Sequence, residues 1–485
     1  MCNKYPERKM KFKHLTILSS LIAIVLGCGS KQEKKIEYTS EAYVGVNIIN
    51  GKGGNSQNNM TILVKNGEII SIGESDTFQV PADSKIINCK GKWVIPGLID
   101  MHAHVTVLPV DSNLVVIEKY DQEASLEALK TMLAFGITTT RNPAAPTEDE
   151  IELRNLIESG KAIGPTIFTT GFALNRTKAF FGPFAATVTE EEIREEVKHQ
   201  VEQGVDFIKV YGSLKPEQIK IAIDEAYKHG KKVIGHLQNT TWTDAAKLGI
   251  DFITHAAPWN GEYLSEAARR NYRPTFIGRL HWLENVNYND VPIQEMLSVM
   301  LENNVSVDPT LIAFHTKFWG NDQRYTQSKN LVLAPKLVTD IWNKTTFTSS
   351  WTPEDYSRAK EQWSKLLKLT KLMHDKGILI TAGSDFPNPW VVPGISIHQE
   401  LQLLSEAGIS NQEIIKIATL NGAIALGIDD KTGSIEIGKQ ADLLFLNSNP
   451  LDNIENTQSI EFVLNDGKMF KPKELNKHIT MYKRH

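Results

Sequence analysis

The sequence predicts an α/β protein: a (β/α)8 TIM barrel with a small discontinuous β-sandwich domain built from the two ends of the chain. Three observations carry this. Eight short apolar segments alternate with helical stretches between residues 98 and 431. Segments of β type, with no helical period, precede and follow that series. A doubly wound sheet would want a Gly-rich phosphate loop after its first strand, and His102-Ala103-His104 stands there instead.

The 485 residues are 41% hydrophobic and 23% charged, a globular composition. The balance of 53 Lys+Arg against 57 Asp+Glu gives a net charge of -4. That leaves no basic stripe, so nucleic acid is not an expected partner. Three cysteines are too few for a disulfide scaffold, and Cys89 reads as a small buried apolar residue.

Taken in order, Lys4, Arg8, Lys9, Lys11 and Lys13 precede a short apolar run over 15–26, which ends in Val25-Leu26-Gly27-Cys28. The run is too short for an ordinary membrane span. The ending resembles a bacterial lipobox, in which the cysteine is acylated and becomes the mature N-terminus. Residues 1–27 are therefore expected to be a lipoprotein signal peptide, with a conventional signal peptide or an uncleaved anchor as the competing reading. Residues 28–37 form a polar tether. Export and membrane attachment through lipidated Cys28, in the periplasm or at the outer membrane, are the expected localisation. Residues 38–97 and 432–485 are expected to form the small β domain, and 98–431 the barrel. Asn66-Gly67 and Asn465-Asp466-Gly467 mark hairpin turns in the former.

Within the barrel the strand candidates are 98–100, 137–140, 166–170, 206–211, 232–237, 251–255, 305–308 and 378–385. Thr147-x-x-Glu150 and Thr189-x-x-Glu192 read as capping boxes opening two of the intervening helices. Residues 353–375 read as one long helix, and 397–406 and 411–426 as the last two.

Chemistry-bearing residues fall at strand ends. His102 and His104, two apart in an extended segment, point the same way. Lys209 shares an alternation face with Phe207 and Tyr211, whereas Ile208 and Val210 face the helices. Burial would lower its pKa, and a neutral amine can add CO₂ to give an anionic carbamate ligand; a buried ion pair is the competing reading. His236, His255 and Asp385 end the fifth, sixth and eighth strands. An N-cap role is the alternative for Asp385. Strands one, four, five, six and eight thus each end in a metal-competent group, on the face where this fold places its active sites.

The run from Val94 to His104, V-I-P-G-L-I-D-M-H-A-H, resembles the opening motif of the amidohydrolase superfamily. Lys209, His236, His255 and Asp385 match its remaining ligand positions in order. Ala418-Thr419-Leu420-Asn421, Gly433-Ser434-Ile435 and Asp442-Leu443 are similar to the imidazolonepropionase-like branch, which includes metal-dependent Xaa-Pro dipeptidases. The branch motif Thr-Val-Arg-Asp reads Thr139-Thr140-Arg141-Asn142 here, so no carboxylate stands at 142. Lys209 separates the chain from imidazolonepropionase itself.

The resemblance implies two divalent metals, zinc foremost. His102, His104 and Asp385 would hold one and His236 and His255 the other, with carboxylated Lys209 bridging them. It further implies a hydroxide between the metals as nucleophile and Asp385 as general base and then acid. The expected function is that of an exported binuclear hydrolase of amide or peptide C–N bonds in small molecules, such as a dipeptidase or N-acyl-amino-acid hydrolase. A lactone or ester hydrolase on the same site, or a non-catalytic lipoprotein binding module, are the competing readings. Tyr211 and Arg176 are candidates for gripping a substrate carboxylate. Residues 317–363 are richer in aromatics than the 8% of the whole chain and read either as a lid or as an insert with its own core. A homo-oligomer is compatible with the sequence.

Overall fold

The computed structural model describes residues 38–111, 119–176, 184–344 and 346–479. The lipobox and Cys28 lie outside the described residues, as do Lys178, Phe180 and Phe181 of the loop after the third strand.

Parallel strands position the site. Leu98–Asp100, Ile137–Arg141 and Thr166–Phe168 are successive neighbours in one sheet. Phe207–Val210, Lys232–Gly235, Phe252–Thr254 and Ser306–Asp308 are successive neighbours in a second, whose other edge carries Ala173–Asn175 and Phe184–Ala186. Main-chain hydrogen bonds also run between the sheets. The N–H groups of Asp206 and Phe207 donate to the Thr169 carbonyl, at 3.0 Å each. Val307 N–H donates to Leu379 O and Thr381 N–H to Val307 O, both at 2.9 Å, and Met101 N–H donates to Ala382 O at 2.8 Å.

Strand alternation divides the packing. Ile99, Met101, Phe207, Ile234 and Phe252 form an inner cluster. Ile208, Val210, Val233 and Ile253 belong to the larger cluster shared with the surrounding helices. Strands this short, buried on both faces, suit a parallel sheet covered by helices.

The segment 378–385 departs from the expected strand. It makes a single ladder bridge, Ile380 with Val307. Beyond it the chain is tied by side chains: the Asp100 carboxylate accepts from Ser384 N–H at 3.0 Å and from Ser384 Oγ–H at 2.7 Å. A Cβ on Gly383 would lie 2.8 Å from the Cβ of His102, so only glycine lets this backbone approach so closely.

The Thr189 capping box forms as expected. The one at Thr147 does not. That helix, Thr147–Glu158, starts after Pro146 with no side-chain cap. Glu150 is buried, and its carboxylate accepts from the N–H groups of Thr170 and Gly171 instead. The stretch 353–375 breaks into Pro353–Glu361 and Trp363–Asp375. The stretch 411–426 breaks into Asn411–Ile417 and Leu420–Leu426, where the Ala418 carbonyl accepts from Ile99 N–H.

Strands from both ends of the chain share one eight-stranded mixed sheet. Trp93–Pro96 pairs in parallel with Ser40–Ile48 and antiparallel with Leu443–Leu446. Tyr43, Phe445 and Phe462 stack in its core, and Cys89 is buried there as a free thiol. Trp93–Pro96 leads through Gly97 directly into Leu98–Asp100, which fixes the strand that precedes the histidine pair. Among the described residues no helix is long and apolar enough to cross a membrane.

Candidate active site

The six candidate ligands named from sequence all line one cavity of about 430 Å³. Asp385 Oδ1 lies 3.4 Å from His102 Nε2 and 3.7 Å from His104 Nε2, and Oδ2 lies 3.9 Å from His255 Nδ1. His255 Nε2 and His236 Nδ1 face each other at 2.7 Å. Ligand atoms of His102, His255 and Asp385 fall within 4.8 Å of one another, a candidate metal-binding triad.

The backbone is bent to bring these groups together. His255, Thr310 and Asp385 all have positive φ, at 80°, 47° and 60°. Such conformations cost free energy in non-glycine residues and persist where the surroundings enforce them. Here main-chain bonds do so: His255 N–H donates to Asp308 O, Asp385 N–H to His102 O, and His104 N–H to Phe386 O.

Outer partners orient each imidazole. His102 Nδ1 faces Asp308 Oδ1 at 2.8 Å. A proton on Nδ1 satisfies that carboxylate and leaves the Nε2 lone pair toward Asp385. His104 Nδ1 donates to the Ala144 carbonyl at 3.1 Å, which likewise frees Nε2. His255 Nδ1 bonds Thr310 Oγ1 at 2.9 Å. Carboxylate and carbonyl partners of this kind fix the tautomer of a metal-ligating histidine. Arg141, fully buried, donates from Nη2 to the other Asp308 oxygen at 2.8 Å and from Nε to Met101 O at 2.9 Å.

Protonation follows from burial. It holds His102, His236 and His255 well below the usual histidine range and His104 at about 4, so all four are neutral at pH 7. It lowers Lys209 to about 7 and raises Asp385 to about 6. Neutral imidazoles, a carboxylate and a deprotonatable amine are a donor set that fits a divalent metal of the zinc type. Lys209 makes no ion pair among the described residues; the nearby Asp308 oxygens are taken by His102 and Arg141.

Tyr211 lines the cavity and stacks on His236, with centroids 4.3 Å apart. Arg176 is not among the cavity-lining residues. It follows Ala173–Asn175, and the Ser213 hydroxyl accepts from its main-chain N–H at 2.9 Å. Besides Lys209, the basic residues that line the cavity are Arg279 and Lys317, from the helices Phe276–Asn285 and Leu311–Phe318. Neither was singled out as a ligand-gripping residue from sequence, nor were Asp308 and Arg141. Of the aromatics in the insert, Trp342 and Phe347 line the cavity. Phe318, Trp319, Trp351, Tyr356 and Trp363 pack against one another.

A model of the amidohydrolase family matches residues 93–470. The chain is 23% identical to ochratoxinase of Aspergillus niger over 372 residues, covering 66% of this chain and 63% of that protein, less than two thirds of the relative's length. It is 21% identical to the imidazolonepropionase of Thermoanaerobacter pseudethanolicus, covering 88% of each. Among solved structures it resembles an Xaa-Pro dipeptidase with bound methionine in the active site. The TM-score is 0.66 at 21% identity, over 89% of this chain and 100% of the other. At that identity the likeness speaks for the fold.

Proposed function

The chain belongs to the amidohydrolase family, and from that premise we propose that it hydrolyses an amide or peptide C–N bond of a small molecule, as a dipeptidase or N-acyl-amino-acid hydrolase. The observation that carries this is the convergence of His102, His104, Lys209, His236, His255 and Asp385 on one cavity.

His102, His104 and Asp385 would hold one divalent metal and His236 and His255 a second, with Lys209, as its carbamate, a further anionic ligand; zinc suits these donors best. Bound there, the metals supply Lewis-acid polarisation of the scissile carbonyl and lower the pKa of water. The protein's own part is proton transfer and orientation. Asp385 takes the proton of the attacking water on a carboxylate oxygen and returns it to the leaving nitrogen. Asp308, held by Arg141, keeps the Nδ1 proton of His102 in place. Lys209 supplies the carbamate: its neutral nitrogen bonds the carbon of CO₂ and releases a proton.

The hydrogen bonds from Met101 to Ala382 and from Phe207 to Thr169 support reading the parallel strands as a closed (β/α)8 barrel over 98–431. The terminal strands around Tyr43 and Phe445 then form the small β domain over 38–97 and 432–485, as one eight-stranded sheet rather than the two packed sheets of a sandwich.

Protein purified without chelators is expected to hold about two divalent metals per chain, measured by elemental analysis. A dipeptide and N-acyl-amino-acid screen should identify a hydrolysed amide. Full amidase activity with metal near zero would sink the metal assignment, and no hydrolysis of any amide by metal-replete protein would sink the function.

Export as a lipoprotein is part of the proposal and rests on the cationic run, the apolar stretch 15–26 and Cys28. Several acyl chains on one cysteine would meet the need for more than a single weak anchor. Cys28→Ser is expected to release a soluble or unprocessed form on membrane fractionation. Wild-type protein found wholly in the soluble fraction would defeat this assignment.

A further inference from the structure

Arg279 and Lys317 stand out as cations that form no ion pair, Lys317 buried and Arg279 partly buried. Both line the cavity, and the side chain of neither makes an ion pair or hydrogen bond with any other described residue. Lys317 is 8% exposed. Aromatic faces hold both groups in place: the Arg279 guanidinium lies 4.5 Å from the Phe276 ring centroid and 5.3 Å from that of Trp259. Lys317 Nζ lies 5.2 Å from Phe314 and 5.4 Å from Phe347.

Such contacts attract a cation but do not replace a carboxylate. A charge withdrawn from water without a partner is costly, and proteins keep one where a ligand supplies the opposite charge. Among the described residues Asp385 is the one carboxylate lining the cavity. Its single charge acts at a distance on both cations, but it is directed at His102, His104 and His255 and forms no ion pair with either cation. The cavity therefore has positive groups to spare, on a wall built of helices rather than at the strand ends where the ligand set sits. Its volume, about 430 Å³, is in the range of small-molecule sites.

We infer that Arg279 and Lys317 form an anion subsite that receives a free carboxylate of the substrate. This deepens the amide-hydrolase reading and rests on it. It narrows the substrate class to amides that carry a carboxylate and a bulky apolar group, such as a dipeptide or N-acyl amino acid with an aromatic side chain. Neutral amides are excluded as preferred substrates. The guanidinium offers paired donors to the two carboxylate oxygens, and the ammonium adds a point charge. Phe314 and Phe347 flank the apolar part.

The test separates binding from turnover. Calorimetry compares N-acetyl-L-phenylalanine with N-acetyl-L-phenylalanine amide, which differ only at the carboxylate, on purified full-length protein. Wild type should bind the acid at least about tenfold more tightly, the scale of a charged hydrogen bond. Arg279→Gln and Lys317→Met should each cut that preference while leaving amide binding nearly unchanged, and Arg279→Lys should restore part of it. Loss of packing alone would weaken both probes equally. Equal binding of the two probes by wild type, binding of neither, or unchanged preference in both variants overturns the subsite. Because the readout is binding, a preference that persists without hydrolysis of any amide would refute the amidase reading and leave the subsite standing. Amide hydrolysis without the preference would do the reverse.

Discussion

Asp385→Asn is expected to lower kcat by about 10²–10⁴-fold, the usual contribution of general acid–base catalysis. The substitution is close to isosteric and keeps one oxygen directed at the histidines. Asparagine also tolerates the left-handed backbone that Asp385 adopts at φ 60°, so the main-chain bond from residue 385 to the His102 carbonyl should survive. What the amide lacks is the capacity to take a proton from water and deliver it to a leaving nitrogen. KM should therefore move far less than kcat, as for a group acting mainly in the transition state. The comparison needs a substrate from the amide screen and metal content measured in both forms. A variant that keeps its metals and most of its kcat would show that another group is the base.

Five of the ligand candidates were legible in the sequence because they lie in or just after strands, whose ends obey a simple geometry, whereas Asp385 follows a segment that makes only one bridge. Residues two apart share a face, which places His102 with His104. Alternation turns Lys209 inward with Phe207 and away from Ile208. The same signal was present at Asp308, a charged residue ending the apolar segment 305–308, and at Arg141, directly after the segment 137–140. Their meaning was hidden because they act through each other: Arg141 is buried on Asp308, and Asp308 on His102. No local pattern pairs residues so far apart in the chain. Arg279 and Lys317 were less accessible still. They come from the helices Phe276–Asn285 and Leu311–Phe318, and sequence does not say which loops and helices line the cavity. That is also why Arg176, a reasonable candidate by position after the third strand, lies outside the lining. Glu150 makes the reverse point. Its spacing from Thr147 satisfies a capping box, but the unpaired amides of Thr170 and Gly171 compete for its carboxylate, and tertiary demand overrides the local motif.

Lys209→Ala is expected to lose metal and activity together, by more than the roughly 10–100-fold seen when only an outer partner of a ligand is removed. The argument starts from the cost of burial. Lys209 is 3% exposed and has no ion-pair partner among the described residues, so an ammonium there is disfavoured and the pKa falls to about 7. A neutral amine can add CO₂ and become an anion, the charge that divalent metals held by the proposed ligand set would draw to this position. Alanine leaves a void at that point, and a short carboxylic acid such as propionate, able to enter it, should restore part of the metal content and activity. Lys209→Arg separates this account from the ion-pair reading. A guanidinium keeps the positive charge but cannot become an anionic ligand, so it should fail as alanine does and should not respond to propionate. Metal analysis and kcat on the three forms, with circular dichroism to establish that each is folded, decide the matter. Wild-type activity in Lys209→Arg would mean that the positive charge, not the carbamate, is what the site uses.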